Sequence, residues 1–203
     1  MTQAQVVTCM SMSLDGFVGR NDAAGWDVHN RLHGWKFPLA IFREHIGQTG
    51  GEATASTGVL AEDFEQSGAY VMGKRMFESG VEPWGDSPPF HAPVFVLTHE
   101  ERAPLVRQGG TTFTFVTDGI ESAVGQARRV AGGKRVFVSG GASAIQQTIG
   151  AGLLDQIRID LAPVLLGEGV RLFDHLGVQN VELEATQVLE AQGVTHLTFR
   201  LRR

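Results

Sequence analysis

Short apolar runs alternate with helical patterns along the middle of the chain, and several of the apolar runs end at glycine. The alternation predicts a mainly parallel sheet whose strands are joined by right-handed helical crossovers. In such sheets the carboxyl ends of the strands form the ligand-binding edge. In chain order the pattern predicts strands at Tyr70 to Met72, Pro93 to Thr98 and Thr111 to Val116, a helix at Ile120 to Ala131, a strand at Val136 to Ser139 and a helix at Ala142 to Gly150.

The two ends of the chain have a different pattern. Gln5 to Ser13 alternates apolar with small polar residues and predicts a central strand. Leu153 to Leu166 reads as one long extended segment. Strands at Val181 to Leu189 and Thr195 to Arg202, which meet at Gln192-Gly193, predict an antiparallel hairpin.

Between these regions, Asn21 to Gly58 is the least regular part of the sequence and is interpreted as a functional loop or lid. Val59 to Gln66, which follows it, has the spacing of a short amphipathic helix. Neither an internal repeat nor a low-complexity linker interrupts the sequence, so residues 1–203 are predicted to form a single domain with a mixed sheet.

Composition narrows the classes of function. Seventeen Lys and Arg against 22 Asp and Glu give a formal net charge of -5, which argues against nucleic acid as a partner. The sequence shows neither an apolar run of the length that spans a bilayer nor a signal pattern, so we expect a cytoplasmic protein without membrane contact. Cys9, the single cysteine, lies in a strand pattern and is interpreted as a buried thiol rather than a nucleophile.

The stretch R-V-F-V-S-G-G-A, from Arg135 to Ala142, predicts a strand, a glycine turn and the start of a helix. Paired glycines let the backbone approach a ligand closely, and the free N–H groups at a helix start favour an anion such as phosphate. The alternative is a tight connection without a ligand. A second strand, Tyr70 to Met72, ends in Gly73, Lys74 and Arg75 at a helix start, which also suits an anion unless both cations are simply solvated.

Three further sets of polar or aromatic residues are interpreted from the sequence. Asp15, in Asp15-Gly16, is either a turn residue or a carboxylate that orients a substrate. His29 and His33 lie four residues apart, but no third ligand stands at a metal-binding spacing, so we expect solvated histidines and no metal site. Trp26, taken by itself, is interpreted as an aromatic of the core or of a loop.

Four separated motifs resemble one family. The chain is similar to the dihydrofolate reductase-like superfamily, and in particular to stand-alone proteins of the RibD C-terminal family, the reductase half of the riboflavin-biosynthesis deaminase-reductase. The motifs, which span most of the chain, are S-M-S-L-D-G-F-V-G at Ser11 to Gly19, V-M-G-K-R-M-F-E at Val71 to Glu78, V-F-V-S-G-G-A-S at Val136 to Ser143, and G-L-L-D-Q-I-R-I-D-L-A-P-V-L-L-G-E-G at Gly152 to Gly169.

This resemblance implies an α/β protein with a dihydrofolate reductase-like three-layer α/β/α fold, in which a mixed, mostly parallel central sheet carries an antiparallel C-terminal hairpin. It implies an NADPH site and a small-molecule substrate. The cofactor residues that it implies are Gly73, Lys74 and Arg75 at the phosphates, Leu97, Thr98 and His99 at the 2'-phosphate, and Ser139, Gly140, Gly141, Ala142 and Ser143 at the pyrophosphate. In this superfamily the Gly-Gly bond is often cis.

On the substrate side, the resemblance implies that Asp15 and the loop of Leu166, Gly167, Glu168 and Gly169 face the substrate, with Trp26 near the nicotinamide. It also implies a homodimer. The expected activity is NADPH-dependent hydride transfer to a heterocycle, most like that of 5-amino-6-(5-phosphoribosylamino)uracil reductase. Whether NADPH is preferred over NADH depends on where Lys74, Arg75 and His99 point.

The resemblance breaks where folate-reducing members carry an acid on the helix after the tryptophan. Asn30, Arg31 and Leu32 occupy that neighbourhood here, and Asp27 lies too close to Trp26 to match. A dihydrofolate or pterin reductase therefore remains an alternative, as does a non-catalytic NADP(H)-binding module. One cysteine cannot supply the zinc signature of a deaminase, so only the reductase part is expected.

Overall fold

The computed structural model describes residues 3–177 and 180–202, and every structural statement below refers to them. The strands are β1 Val6–Ser13, β2 Phe17–Gly19, β3 Ser67–Gly73, β4 Pro93–Leu97, β5 Leu105–Val106, β6 Thr112–Val116, β7 Arg135–Gly140, β8 Gln156–Ala162, β9 Val170–Arg171, β10 Leu183–Ala191 and β11 Val194–Leu201. The helices are α1 Gly25–His33, α2 Ala40–His45, α3 Thr57–Gln66, α4 Lys74–Gly80, α5 Ile120–Val130 and α6 Ala142–Gly150.

The chain divides into two compact units. The first contains the described residues up to Thr8 together with Gln66–Gln156, and the second contains Cys9–Glu65 together with the described residues from Ile157 onward. The sequence-based assignment of one domain to residues 1–203 stays a prediction.

The first unit contains the parallel sheet that the sequence predicts. Its strand order is β1-β7-β3-β4-β6-β5, and the first four of these pairings are parallel while β5 pairs antiparallel with β6. The strands that carry glycine turns, β7 and β3, are neighbours, and β4 lies beside β3. The carboxyl ends of these three strands therefore meet at one edge of the sheet.

Apolar alternation explains the helices of this unit. The buried residues of α5, Ile120, Ala123, Val124 and Ala127, follow the three- and four-residue spacing of one helix face. Gly68 allows β3 to pack closely against the end of this helix. Any other residue there would place its Cβ atom 2.0 Å from the carbonyl oxygen of Ala131.

The second unit contains the antiparallel hairpin. β10 and β11 pair from Leu183↔Leu201 to Ala191↔Val194, so the chain turns at Gln192-Gly193 as predicted. β11 continues through β8 to β1 in the order β10-β11-β8-β1. A separate two-stranded sheet, which the sequence did not suggest, joins β2 to β9 antiparallel.

Two sequence-based assignments are corrected here. Asn21 to Gly58 is not an irregular loop, because α1 and α2 form within it. Val28 and Leu32, four residues apart, are buried with Ala162, and this apolar contact gives α1 a packed face. The extended segment predicted at Leu153 to Leu166 contains a shorter strand, β8, which ends at Ala162 immediately before Pro163.

Candidate cofactor and substrate sites

The turn between β7 and α6 is built from the two glycines that the sequence singled out. Gly140 has φ +125°, a conformation that side chains rarely adopt, and the Gly140–Gly141 peptide bond is cis, as the resemblance implies. Gly141 is the N-cap of α6, and no side chain caps that helix. The first N–H groups of α6 therefore have no intrahelical acceptor and no capping side chain.

Two observations indicate that this turn accommodates a ligand. A Cβ atom built on Gly141 meets nothing within 4 Å, so there is open space beside the backbone. The Ser139 hydroxyl oxygen, two residues earlier, is buried and has no hydrogen-bond partner in the described chain. Because buried hydroxyl groups are almost always hydrogen-bonded, an unpartnered one two residues from this turn is a candidate contact for a ligand.

The turn after β3 adjoins the turn after β7. A Cβ atom built on Gly73 would lie 3.8 Å from the Gly141 nitrogen and 3.9 Å from the Gly140 carbonyl oxygen. β3 and β7 pair up to Met72↔Gly140, which brings the two turns side by side. Two of the glycine segments predicted at the cofactor are thus in contact.

The cations that follow Gly73 differ in their surroundings. Lys74 forms ion pairs with Glu100 and, at 3.6 Å, with Glu78. The hydrogen bond to Glu100 raises the pKa of Lys74. Arg75 is exposed. The sequence-based prediction missed Glu100, which follows His99 directly and is paired with Lys74.

The segment after β4 also lies at this edge of the sheet. Leu97 is the last residue of β4, and Thr98 is buried, with its N–H donating to the carbonyl oxygen of Val116 at 3.0 Å. The Thr98 hydroxyl oxygen accepts a hydrogen bond from the Glu100 N–H at 3.1 Å. His99 is exposed. The cofactor residues predicted at three places in the sequence therefore follow three neighbouring strands of the first unit.

Asp15 belongs to the second unit, and its carboxylate binds the protein itself. It accepts hydrogen bonds from the Ser13 hydroxyl at 2.6 Å, from the Leu166 N–H at 3.1 Å and from the Gly167 N–H at 2.7 Å. These hydrogen bonds, with that from Ser13 the largest influence, lower the pKa of Asp15 to about 2. The carboxylate thus ties the loop at Leu166 to the turn after β1.

The rest of that loop is held from its other side. The exposed Glu168 pairs with Arg20 at 2.6 Å, and Arg20 also pairs with Asp22. Gly169 has φ +142°, and a Cβ atom there would lie 2.5 Å from the Gly19 carbonyl oxygen, so only glycine fits. Asp15 and the predicted substrate loop are therefore in direct contact, through a well-defined set of hydrogen bonds.

Trp26, in the first turn of α1, is 68% exposed, which excludes the interpretation as a core aromatic. Its ring meets His29 edge-on at 5.6 Å, and the His29 and His33 rings lie 4.4 Å apart. His29 and His33 share a helix face, but both are only partly exposed and His33 Nδ1 is buried, so the prediction of solvated histidines is wrong. No group of three or more metal-ligating side chains occurs in the described chain.

The sequence-based reasoning missed a buried polar network in the second unit. The Arg158 guanidinium binds the Asp63 carboxylate with two hydrogen bonds, at 2.9 and 2.5 Å, and donates to Asp160 at 2.8 Å. The carboxylate of Asp160 lies 2.7 Å from His196 Nδ1, and His196 Nε2 lies 2.8 Å from the Ser56 hydroxyl oxygen. The available signal was R-I-D at Arg158 to Asp160, because alternate residues of a strand share a face.

Burial and charge act in opposite directions within this network. Burial raises the pKa of Asp63 despite its pairing with Arg158. Burial also acts to raise the pKa of Asp160, but hydrogen bonds from His196 and Arg158 outweigh it, so this pKa is lowered. Ser56, His196 and Asp160 have the order of a catalytic triad, yet each is at most 2% exposed, which leaves a substrate no access to the hydroxyl.

The charges of this network, on Arg158, Asp63 and Asp160, influence the pKa of Cys9. The side chain is partly exposed rather than fully buried as predicted. Burial is the main cause that raises the pKa of the thiol. The sulfur is therefore protonated at neutral pH, which agrees with the prediction that it is not a nucleophile.

The comparisons with known proteins agree with the fold and with the motifs. The RibD C-terminal domain family matches residues 4–197. A solved structure of a putative riboflavin biosynthesis protein from Shewanella sp. PV-4 is 20% identical, with a TM-score of 0.69 and coverage of 98% of this chain and 100% of that one.

Two other solved structures link the fold to reductases. A dihydrofolate reductase from Enterococcus faecalis, complexed with NADP(H) and RAB-propyl, is 14% identical, with a TM-score of 0.57 and coverage of 99% of this chain and 98% of that one. A diaminohydroxyphosphoribosylaminopyrimidine deaminase/5-amino-6-(5-phosphoribosylamino)uracil reductase from Thermotoga maritima is 13% identical, with a TM-score of 0.61, and this chain covers 57% of its length.

The model of the family covers nearly the whole chain, and the mostly parallel sheet with its antiparallel hairpin is found in these neighbours. No helix among the described residues is long and apolar enough to cross a membrane. The chain belongs to the RibD C-terminal domain family and has a dihydrofolate reductase-like fold.

Proposed function

We propose that this protein is an NADPH-dependent reductase that transfers a hydride to a small heterocyclic substrate, most like 5-amino-6-(5-phosphoribosylamino)uracil. The observation that carries the proposal is the Gly140–Gly141 turn: there is open space beside Gly141, and the buried hydroxyl of Ser139, two residues earlier, has no hydrogen-bond partner in the described chain. The family and its reductase neighbours support the same class of reaction.

The residues at this turn fit a dinucleotide. We expect the Ser139 hydroxyl to donate to a phosphate oxygen when the cofactor binds, and the first N–H groups of α6, from Ala142 and Ser143, favour negative charge. Gly73 has no side chain, and its backbone lies next to that of Gly140 and Gly141. We therefore expect backbone atoms rather than a side chain to border the phosphates at this turn. When bound, the nicotinamide supplies the hydride, and the protein supplies position and charge.

The preference for NADPH rests on Arg75 and His99. Both are exposed, whereas Lys74 is already paired with Glu100 and Glu78. We therefore expect Arg75 and His99 to provide most of the attraction for a 2'-phosphate, with Thr98 beside them. NADH would lack that contribution and would bind more weakly.

On the substrate side, Asp15 acts as a positioning residue. Its carboxylate fixes the N–H groups of Leu166 and Gly167, and with them the loop that continues through Glu168 and Gly169. Trp26, exposed on α1, offers a flat apolar surface to a heterocycle. These assignments follow the resemblance and the contacts of the loop.

The decisive experiment measures the dissociation constants of NADPH and NADH for the native protein and for Gly141→Asp. A carboxylate in the open space beside Gly141 repels phosphate, so NADPH affinity should fall at least about tenfold, or ~1.4 kcal/mol. Gly58→Asp is the matched control, because Gly58 also has open space in the first turn of a helix, α3, but belongs to the second unit. Equal NADPH affinity in all three proteins would overturn the assignment of the turn.

A second candidate function is a non-catalytic NADP(H)-binding module. Two contacts favour it. The Asp15 carboxylate accepts a hydrogen bond from the Gly167 N–H, and the exposed Asp27 is paired with Arg31, so neither acid is free to bind a substrate. Oxidation of NADPH in the presence of 5-amino-6-(5-phosphoribosylamino)uracil supports the reductase and excludes the module. Turnover of dihydrofolate instead would identify the pterin alternative.

We also propose that the protein is a homodimer, as the resemblance implies. β10 is the edge strand of its sheet, and it exposes Val188 by 67% and Leu183 by 44%. Exposed apolar edge strands are places where a second copy can pair. Light scattering measures the mass directly, and a monomer at micromolar concentration would contradict the proposal.

A further inference from the structure

Lys36 has an unusual environment for a lysine. It lies in the turn between α1 and α2, where its N–H donates to the His33 carbonyl oxygen at 3.1 Å and its own carbonyl oxygen accepts from the Leu39 N–H at 3.1 Å. These two bonds fix the backbone from which the side chain projects. The ammonium nitrogen lies 5.4 Å from the centre of the Phe42 ring.

This ammonium group has no polar partner. In residues 3–177 and 180–202, no carboxylate lies within ion-pairing distance of Lys36 Nζ and no acceptor forms a hydrogen bond with it. The side chain is nevertheless only partly exposed, and burial lowers its pKa. An ammonium withdrawn from water without a partner is costly, and a group so perturbed is a candidate for a role in ligand binding or catalysis.

The neighbouring charges cannot serve as that partner. Asp63 and Asp160 influence the Lys36 pKa from a distance, but both carboxylates are already bound to Arg158. Cys9, the other nearby group, is a protonated thiol because burial raises its pKa.

A second polar atom beside Lys36 is also unsatisfied. His33 Nδ1 is buried and has no hydrogen-bond partner in the part of the chain that the structure describes. Burial, with a smaller influence from Lys36, lowers the pKa of His33, so the imidazole is neutral. A protonated amine and a neutral ring nitrogen, joined through one backbone hydrogen bond, both lack partners in the same turn.

The surrounding surfaces are aromatic. The rings of Phe37 and Phe42 lie 5.8 Å apart, and His29 lies 6.1 Å from Phe37. The Phe42 ring beside the ammonium and the Phe37 ring next to it offer flat apolar surfaces, which suit a planar heterocycle that carries a carbonyl oxygen or ring nitrogen as acceptor. An aliphatic anion would gain the charge but not the ring contacts.

We propose that Lys36 is the substrate-facing acid of the second unit: its ammonium binds an acceptor atom of a planar heterocyclic substrate and donates the proton that accompanies hydride transfer. The proposal rests on the proposed reductase function. The hydride adds to the carbon of a C=N bond, and the π electrons pass to nitrogen. That nitrogen takes a proton from Lys36, whose neutral amine is then reprotonated by water. The lowered pKa makes the lysine a stronger acid near neutral pH.

The chain offers an unusually clean test, because it contains three lysines, Lys36, Lys74 and Lys134. Trace acetic anhydride is applied between pH 6 and 11, and the acetylation of each lysine is followed by mass spectrometry of peptides. Lys74 is ion-paired and Lys134 is exposed, so both serve as internal controls. Lys36 should become reactive at a lower pH than the exposed Lys134.

The second step adds saturating 5-amino-6-(5-phosphoribosylamino)uracil, or dihydrofolate if that is the compound that turns over. The acetylation of Lys36 should fall at least about tenfold while that of Lys134 is unchanged. An ordinary reactivity profile for Lys36, or no protection by either compound, overturns the proposal. Both outcomes can be read without any measurement of turnover.

Variants then separate the acid from a merely structural lysine. Lys36→Arg keeps the positive charge but holds its proton too tightly to donate it. It should therefore keep KM near the native value while kcat falls about 100-fold, and Lys36→Gln should impair both. The NADPH dissociation constant should be native in both variants. A native kcat in Lys36→Arg contradicts the role of Lys36 as the acid. If the native protein does not bind NADPH, the proposed reductase function is contradicted instead.

Discussion

At the scale of single residues, the carboxylate of Asp15 shows how an acid in a sequence motif can stabilise the backbone by accepting hydrogen bonds from its N–H groups. Its two oxygens accept hydrogen bonds from three donors, one hydroxyl group and two consecutive N–H groups. The Arg171 guanidinium, which also lies over the Phe17 ring at 4.4 Å, donates to the Asp15 carbonyl oxygen at 3.1 Å. The residue therefore fixes the turn that contains it and the loop beyond it.

This arrangement predicts a pH-dependent loop. Because the folded-state pKa of Asp15, about 2, lies below the unfolded value of about 4, the stabilisation is complete above pH 4 and is lost as the pH falls from about 4 towards 2. Hydrogen exchange of the Leu166 and Gly167 amides should accelerate across that range, after correction for the intrinsic rate.

Asp15→Asn should accelerate exchange at these two amides at neutral pH and remove its pH dependence. Asp174→Asn, which changes an exposed acid of the same unit, is the control and should exchange like the native protein. Unaltered exchange in Asp15→Asn would mean that the loop is held by Arg20 and Glu168 instead.

A second prediction concerns the buried network. Arg158→Met leaves the carboxylates of Asp63 and Asp160 in the interior without their cation, so the free energy of unfolding should fall by about 3–5 kcal/mol. Arg31→Met removes the exposed pair with Asp27 and should cost at most about 0.5 kcal/mol. Urea unfolding of both variants provides the comparison, and similar losses would show that the network contributes little.

At the scale of elements, the functional residues follow the ends of strands rather than their interiors. β3, β4 and β7 are neighbours in the first unit, and each is followed by residues assigned to the cofactor. The glycines at these ends are not equivalent. Gly141 has open space beside it, which the proposed ligand would occupy. Gly68, at the start of β3, has no such space.

Gly68→Ala should therefore destabilise the protein, because the new Cβ atom would overlap the Ala131 carbonyl oxygen and force β3 away from the end of α5. The expected loss is about 1–3 kcal/mol. Gly58→Ala is the matched control, since its Cβ atom meets nothing within 4 Å, and it should stay within about 0.5 kcal/mol of the native protein. Thermal or urea unfolding measures both, and a native-like Gly68→Ala would show that the backbone shifts without cost.

The same scale shows what the sequence could predict. α6 was placed exactly, at Ala142 to Gly150, because a glycine pair precedes it and its apolar spacing is regular. α1 was missed because only Val28 and Leu32 are buried, and the histidines and polar residues around them hide the spacing. The extended segment predicted at Leu153 to Leu166 is longer than β8 because apolar residues continue past Pro163.

Of the candidate sites, the glycine turns were recognisable because turn chemistry is local in sequence. The partners of those residues were not. Glu100 beside Lys74 and the contacts of Asp15 with Leu166 depend on tertiary structure, as does the network of Ser56, Asp63, Arg158, Asp160 and His196. A single sequence carries little information on which residues distant in the chain come into contact.

At the scale of the whole molecule, the residues assigned to the cofactor all belong to the first unit, and those assigned to the substrate all belong to the second. Ligand binding can therefore be followed separately in each. NADPH should slow hydrogen exchange at residues 73–76, 98–100 and 140–145, and leave the hairpin at 183–201 unchanged. Protection confined to the hairpin would contradict the cofactor site.

The scarcity of lysine has a practical consequence for work with this protein. Covalent attachment to a biosensor surface commonly uses primary amines, and the side chains offer three: Lys36 in the proposed substrate site, Lys74 beside the proposed cofactor turn, and the exposed Lys134. Amine coupling would therefore block a proposed binding site on many of the tethered molecules and lower the apparent capacity for ligand. Attachment through an affinity tag leaves all three side chains untouched.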